Sequence, residues 1–195
     1  MKQAFLIGGK VYLRVLEAKD ANGNYPEWLN NEETCQFLEQ HVYPYSKESA
    51  YEYIQALQTR QDMIMLAIVN KEDDTHIGNI TLGSISNLHR SAEFSLLIGE
   101  KSHKQKGLAK EASFLLLKHG FNTMNLNRIW CGTMQNNISM QKLALSLGMQ
   151  KEGLKREEVF KNGRYYDTFQ YSILREEFNM LNTDSNNPTT PSKEK

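Results

Sequence analysis

Cysteine and surplus charge are both scarce in this chain of 195 residues. The two cysteines, Cys35 and Cys131, lie far apart and outside any C-x-x-C or Cys/His spacing, which argues against a disulfide framework or a zinc site. We expect both to be buried thiols in a reducing compartment. Lysine and arginine together number 23, and so do aspartate and glutamate. The chain therefore lacks the overall positive field on which nucleic-acid binding relies.

Long apolar runs are also missing. No stretch approaches the roughly 20 apolar residues that a membrane helix needs, and the apolar run within MKQAFLIGGK is too short for a signal peptide. The sequence therefore predicts a cytoplasmic protein with no membrane, nucleic-acid or metal partner. Its length suits a single domain, expected over residues 1–178. Residues 179–195 are polar, contain proline and show no periodicity, which predicts a disordered tail.

The most informative stretch is residues 92–113, AEFSLLIGEKSHKQKGLAKEAS. Alternating apolar residues predict a strand over its first part, and three- and four-residue spacing predicts a helix that begins near Gly107. The loop KQKGLA therefore lies at a helix N-terminus, where the first amides lack partners and the dipole favours an anion such as phosphate. Neither the Gly-Lys-Ser/Thr triplet of a P-loop nor a G-x-G-x-x-G fingerprint is present.

Hydrophobic patterns elsewhere predict a chain of mixed α/β class. Further strands are expected at residues 11–15, 63–69, 80–82, 128–134, 151–160 and 164–174. Helices are expected at residues 26–29, 34–38, 50–61 and 137–147. Asn136 or Asn137 is a natural cap for the last of these helices. Asn162 and Gly163 separate the last two strands and form the strongest short-range hairpin signal.

Three segments together resemble the GNAT superfamily of N-acetyltransferases. Residues 104–109 resemble its pyrophosphate-binding motif, Gln/Arg-x-x-Gly-x-Gly/Ala, with Lys104 at the first place. Asn137, followed eleven residues later by Gly148 and an apolar residue, resembles the second motif. The EG-L-x-R and NG-x-Y-x-D pattern resembles the hairpin of the subfamily with ribosomal-protein-alanine and spermidine acetyltransferases. The resemblance covers about residues 11–176 and implies the GNAT fold, a mixed, mostly antiparallel seven-stranded sheet, splayed between strands 4 and 5 and flanked by helices.

The same resemblance implies that acetyl-CoA is the acyl donor. In the family, backbone amides of the loop hold the pyrophosphate, and the main chain of the preceding strand holds the pantetheine arm and the thioester carbonyl. The residues so assigned to acetyl-CoA are Leu97, Gly99, Lys104, Gln105, Lys106, Gly107, Leu108, Ala109 and Asn137. Without the family, Asn137 is simply a helix cap.

Acetyl transfer to an amine needs a neutral amine, a polarised carbonyl and a proton for the leaving thiolate. Glu93 lies fourteen residues before Gly107, where several enzymes of the family place a catalytic glutamate, and alternation puts its side chain on the face of Leu97. We expect Glu93 to assist deprotonation of the amine. The alternative is a structural carboxylate paired with Arg90 or Arg128.

The proton donor departs from the family pattern. Spermidine-type enzymes place a tyrosine seven residues after the motif asparagine, and the ribosomal-protein-alanine type places a serine three residues after it; these positions are Ala144 and Met140 here. Ser139 is adjacent, and it would serve if the helix began one residue earlier, with Asn136 as its cap. Ser139 is therefore the candidate donor, with water as the alternative.

These features predict an acetyl-CoA-dependent N-acetyltransferase that acts on a primary amine. A protein N-terminal amine is slightly favoured, and a nucleotide-linked amino sugar or another small molecule is the alternative. A CoA-binding regulatory domain without catalysis is the alternative from another class. A polyamine is not expected, because the acceptor side offers aromatic residues, Lys161 and Arg164, and few carboxylates. Glu32, Glu33 and Glu39 are the exception, since one helix turn would aim them at the acceptor, and the sequence does not place them. Dimers are common in families of this kind, so a homodimer is also considered.

Overall fold

The computed structural model describes residues 3–104 and 106–184, which contain a single sheet of eight strands. The strands are β1 (Leu6–Ile7), β2 (Val11–Val15), β3 (Ile64–Asn70), β4 (His76–Ser86), β5 (Ser91–Ile98), β6 (Arg128–Met134), β7 (Gln150–Lys161) and β8 (Arg164–Leu174). The helices are α1 (Tyr25–Leu29), α2 (Lys47–Leu57), α3 (Leu108–Asn122), α4 (Ile138–Ser146) and α5 (Arg175–Asp184), with 3-10 turns at Ala18–Asn22 and Lys101–His103. None of the helices in this described part is long and apolar enough to cross a membrane.

The strand order is β1-β2-β3-β4-β5-β6-β8-β7, and the neighbouring strands are antiparallel except for β5 and β6. The predicted mixed α/β class and mostly antiparallel sheet are therefore confirmed. The strand beyond the expected seven is β1, whose Leu6 and Ile7 pair with Leu13 and Tyr12. Two residues are too few to show a periodic pattern, so hydrophobic alternation does not reveal this strand.

An apolar layer covers each face of the sheet. On one face, α3, α4 and α5 pack on a cluster that includes Leu13 and Cys131. On the other face, α1 and α2 pack on a cluster that includes Tyr12 and Cys35. Side chains of a strand alternate between faces, so adjacent residues of β2 serve different layers. Both cysteines are fully buried free thiols, as predicted.

Turn chemistry fixes the boundaries of the C-terminal elements. The Asn137 Oδ1 accepts a hydrogen bond from the Met140 amide at 3.1 Å and so caps α4. Gly148 follows the same helix with φ of +83°, the left-handed conformation common at helix ends. Asn162 and Gly163 have φ of +50° and +79°, the two positive values that a type I′ hairpin turn requires. The predicted hairpin is confirmed.

Residues 34–38 form turns where the sequence predicts a helix. Tertiary contacts determine their path. Cys35 is fully buried, and its Sγ donates to the carbonyl oxygen of Trp28 at 3.2 Å. This contact holds the segment against the end of α1.

The last described helix, α5, extends into the segment that was predicted to be a disordered tail. α5 runs to Asp184, so residues 179–184, expected to be disordered, are helical. The ring of Phe178 lies 5.4 Å from that of Phe114 and 5.0 Å from that of Phe121. These contacts attach α5 to α3, which a tail without periodicity does not indicate. Residues 185–195 lie outside the described residues.

Candidate active site

The sheet opens between β5 and β6. These parallel strands share three residue pairs, of which the last joins Glu93 to Trp130. Within the described chain, residues 94–98 then pair with β4 alone, while β6 continues along β8. An unpaired strand edge offers amide and carbonyl groups to an extended ligand. The predicted splay is thus confirmed, and Glu93 stands at its closed end.

The N-terminus of α3 lies beyond the open end of β5. Gly107 caps this helix with φ of +78°, and a Cβ placed on it would meet nothing within 4 Å. The positive φ favours glycine, and the empty space leaves the first amides of the helix accessible. Because the helix dipole is positive at this end, the geometry suits a phosphate group.

A cleft of 460 Å³ borders this helix terminus. Three of its lining residues are the lysines Lys10, Lys71 and Lys106, and His103 also faces it. The full lining is Gly9, Lys10, Asn70, Lys71, Glu72, His103, Lys106 and Leu108. Several cations beside an open helix N-terminus favour a ligand that carries more than one phosphate.

The residues assigned to acetyl-CoA fall into two groups, and two of them, Lys106 and Leu108, line this cleft. Lys104, Lys106, Gly107, Leu108 and Ala109 lie together where the loop enters α3. The remaining described members are Leu97 and Gly99 at the end of β5 and Asn137 at the start of α4. Gln105 lies outside the described residues. The binding roles of all of these residues stay predictions.

Gly99 and Leu97 also have structural roles that their positions in the motif did not indicate. The Gly99 amide donates to the Ile77 carbonyl oxygen at 2.9 Å, and its Cα lies against the ring of Trp28. Leu97 packs against the apolar cluster beneath α1 and α2. Position 99 is therefore a glycine because a larger residue would collide with the ring of Trp28. This structural role is independent of any contact between the Gly99 backbone and a ligand.

Ser139 is the second residue of α4 and is exposed. Asn137, and not Asn136, caps this helix. The helix therefore does not begin one residue earlier, which was the condition for placing Ser139 in the family's donor position. Its role as proton donor stays a prediction without that support.

Glu93 owes its surroundings to an irregularity in the neighbouring strand. It pairs with Gly83 of β4, immediately before a register shift between Gly83 and Ser86. Ser84 there has φ of +49°, and its side chain hydrogen-bonds with the Glu93 carboxylate. Such bulges re-aim side chains and are frequent beside active sites. Arg128, one of the two alternative partners of Glu93, instead donates to Glu152 at 2.6 Å.

The Glu93 carboxyl group is half-buried, and burial raises its pKa above the ordinary value. The nearby charges of Glu39 and Glu158 raise this pKa further, while Lys155 and the Ser84 hydrogen bond oppose them. Two additional carboxylates thus lie close enough to act on Glu93. The sequence offered Glu39 as a carboxylate that could face inward but did not place it, and it did not single out Glu158. The two residues come from a loop and from β7, far from β5 along the chain.

The two cations expected beside the acceptor are already bound within the protein. The Lys161 Nζ donates to the carbonyl oxygens of Cys35 at 2.6 Å and of Leu38. The Arg164 guanidinium lies over the Tyr166 ring at 4.6 Å. Lys161 is therefore not available to an acceptor, whereas Glu39 and Glu158, the latter paired with Lys155, add carboxylates near Glu93. These contacts weaken the sequence-based argument against a cationic acceptor.

No group of three or more histidine, cysteine, aspartate or glutamate side chains suited to a metal ion occurs within residues 3–104 and 106–184. The described residues thus offer a half-buried carboxylate beside an open strand edge, and a helix terminus whose open amides suit a phosphate.

Known proteins are similar to this chain in sequence and in fold. The acetyltransferase (GNAT) domain family matches residues 10–150. The uncharacterized N-acetyltransferase p20 of Bacillus licheniformis is 31% identical over 87% of this chain and 95% of its own length. The chain therefore belongs to the GNAT acetyltransferase family, as its motifs predicted. It is an N-acetyltransferase, and enzymes of this family take the acetyl group from acetyl-CoA.

Two further comparisons concern spermidine acetyltransferases. The spermidine N(1)-acetyltransferase of Vibrio cholerae is 32% identical over 57% of this chain and 64% of its own length. A crystal structure of spermidine N-acetyltransferase from Vibrio cholerae in complex with CoA and spermine has a TM-score of 0.80 and 26% identity. That match covers 88% of this chain and 99% of the other. The GNAT fold is thereby confirmed.

Proposed function

We propose that this enzyme transfers the acetyl group of acetyl-CoA to a small cationic primary amine, with Glu93 as the general base. The observation that carries the proposal is the position of Glu93. It lies at the closed end of the splay between β5 and β6, half-buried, and the charges of Glu39 and Glu158 act on it. A site with several carboxylates attracts an ammonium group electrostatically.

The described residues fit acetyl-CoA. Lys10, Lys71 and Lys106 line the cleft beside the open N-terminus at Gly107, and this cleft suits the phosphates. The unpaired edge of residues 94–98 suits the amides of the pantetheine arm. When bound, acetyl-CoA supplies the acetyl group as a thioester. The protein supplies the binding surface and the groups that move protons.

Glu93 has the properties of a base for this reaction. A primary amine is mostly protonated near neutral pH, and it attacks a carbonyl only in its neutral form. The raised pKa of Glu93 makes its carboxylate a stronger proton acceptor than an exposed glutamate. The proton leaves the ammonium group for Glu93, directly or through water. The neutral nitrogen then forms the C–N bond as the C–S bond of the thioester breaks. Ser139 or water gives a proton to the leaving thiolate, and the second proton of the nitrogen replaces it.

The acceptor follows from the distribution of charge. Sequence reasoning favoured a protein N-terminal amine or an amino sugar, because Lys161 and Arg164 were expected to face the acceptor. Lys161 instead binds carbonyl groups within the protein, and Arg164 stacks on Tyr166. Glu39 and Glu158 act on Glu93, and because Glu158 is paired with Lys155, Glu39 supplies most of the uncompensated negative charge. This pattern favours an amine with additional positive charge, such as a polyamine. A similar protein, from Vibrio cholerae, is a spermidine N(1)-acetyltransferase.

The test is release of free CoA thiol from acetyl-CoA with three acceptors in parallel: spermidine, an alanine-initiated peptide and a UDP-linked 4-amino sugar. We expect the largest kcat/KM with spermidine. A larger value with the peptide or the sugar would overturn the choice of a cationic acceptor and would leave the acetyltransferase intact. Thiol release that stays at the hydrolytic background with every amine would contradict the proposed function itself.

A further inference from the structure

The acceptor side of the site is bordered by a segment with turns and no helix or strand, residues 31–44, which we call the acceptor loop. It joins α1 to α2 and carries Glu39. Hydrogen bonds and an ion pair hold this loop in place. At one end, the Asn30 side chain donates to the Tyr45 carbonyl oxygen at 2.7 Å and accepts from the Tyr45 amide at 2.8 Å. Elsewhere Glu33 forms an ion pair with Lys101.

Lys161 contacts three backbone carbonyl groups of this loop with a single ammonium group. Its Nζ lies 2.6 Å from the carbonyl oxygen of Cys35 and 3.3 Å from that of Gln40, and it also donates to the carbonyl of Leu38. An ammonium group has three N–H donors and no acceptor, so these three carbonyls use its full capacity. Hydrogen bonds from a charged donor are stronger than those between neutral groups.

The position of Lys161 is itself well defined. It is the last residue of β7 and pairs with Arg164 across the hairpin turn. Asn162 and Gly163 fix this turn by their two positive φ values. Lys161 therefore projects from a rigid hairpin, 121 to 126 residues away from its partners along the chain.

The bound carbonyls flank the charged residue of the loop. Leu38 and Gln40 are the neighbours of Glu39 on either side, so Lys161 restrains the backbone immediately before and after it. The charge of Glu39 acts on Glu93. Lys161 thus connects the hairpin to the placement of a carboxylate in the acceptor site, and it needs no contact with the substrate to do so.

We propose that Lys161 is a positioning residue that fixes the acceptor loop so that Glu39 stands beside Glu93 and helps to bind the ammonium group of the acceptor. The proposal deepens the proposed function and rests on it. It assigns the lysine to substrate affinity through Glu39, and not to general support of the fold.

A double-mutant cycle tests this assignment. We expect Lys161→Met to raise the KM for spermidine by about tenfold, a coupling of ordinary size for connected residues. In a Glu39→Gln background, the same substitution should change this KM by less than about twofold. The Kd of acetyl-CoA should stay unchanged in all variants. Lys118→Met, which removes an exposed lysine on α3, is the matched control and should behave as the wild type.

A second measurement does not depend on turnover. The charges of Glu39 from the acceptor loop and of Lys155 and Glu158 from β7 act on Glu93, as does the Ser84 hydroxyl from β4. The charge of Glu93 in turn acts on the Cys131 thiol of β6. Release of Glu39 removes a negative charge, so the titration of the Glu93 carboxyl, followed by carbon NMR, should move to lower pH in Lys161→Met. No such movement should follow Lys161→Met in the Glu39→Gln background.

The outcomes are distinguishable. Equal effects of Lys161→Met in the wild-type and Glu39→Gln backgrounds would show that the lysine acts independently of Glu39, and this would overturn the proposal. An unchanged Glu93 titration in Lys161→Met would do the same. If no amine is acetylated by the wild type, the proposed function fails, while the NMR titration still decides whether Lys161 positions Glu39.

Discussion

The ring of Trp28 lies so close to Gly99 that a Cβ at position 99 would be 2.0 Å from the Trp28 Cδ2. The indole Nε1 also donates to the Glu100 Oε1 at 3.0 Å, and Asn24 donates to the same oxygen at 2.8 Å. These contacts attach α1 to the end of β5, beside the proposed acetyl-CoA site. The helix that precedes the acceptor loop is therefore positioned from the strand that borders the splay.

Replacement of Gly99 should disturb this junction. Gly99→Ala forces the ring of Trp28 to move, and overpacking of this kind costs about 1–3 kcal/mol of unfolding free energy. Gly153→Ala is the matched control, because a Cβ on Gly153 meets nothing within 4 Å. Unfolding in guanidinium chloride measures both. Equal stability of the two variants would show that Trp28 yields without cost.

The open N-terminus of α3 predicts a specific loss of coenzyme affinity. Gly107→Glu places a negative side chain where we expect phosphate, so the affinity for CoA should fall by about tenfold or more. Gly163→Glu is the matched control, since Gly163 also has a positive φ and open space at its Cβ position but lies at the hairpin turn. Calorimetric titration with CoA measures both variants. Equal affinities of the two variants would contradict phosphate binding at this terminus.

A buried ion pair predicts how stability depends on pH. Arg14 donates to Asp20 through two nitrogens, at 2.7 and 2.8 Å, and both side chains are buried. The guanidinium and the hydrogen bond from His76 hold the pKa of Asp20 well below its usual range, against the opposing effect of burial. A carboxyl with a lowered pKa in the folded state stabilises the protein above its unfolded pKa. This contribution should be lost as the pH falls below about 4.

Asp20→Asn should therefore destabilise the protein near neutral pH by about 3–5 kcal/mol, because it leaves the Arg14 charge buried and unpaired. The variant should also lose less stability than the wild type on acidification. Asp62→Asn breaks the exposed pair with Arg60 and should have a much smaller effect. Thermal unfolding at several pH values measures both. Parallel pH profiles of wild type and Asp20→Asn would contradict the assignment to Asp20.

Much of the fold follows from local sequence patterns. β5 and α3 were predicted from alternating apolar residues and from apolar residues at helical spacing, respectively. Gly107 marks the start of α3, and a glycine readily adopts the positive φ found there. The hairpin followed from Asn162 and Gly163 for the same reason. In each case the residues that determine the conformation are neighbours in the chain.

The acceptor side could not be predicted in this way. The path of residues 34–38 depends on the burial of Cys35 and on Lys161, which is 126 residues away from Cys35. The sequence shows Glu39 and Glu158 as two carboxylates without a location, and only the folded chain brings their charges to bear on Glu93. Lys161 was expected to face the acceptor because its position near the hairpin turn was known and its partners were not.

The pH dependence of Glu93→Gln tests the central claim most directly. With spermidine as acceptor, the variant should lose about 100- to 10,000-fold in kcat/KM near neutral pH, because it lacks the group that removes the ammonium proton. The loss should shrink at alkaline pH, where free amine is abundant. The wild-type kcat/KM should fall on acidification at a pH above that of an ordinary glutamate, since the pKa of Glu93 is raised. A variant with the rates and the pH profile of the wild type would show that Glu93 is not the base.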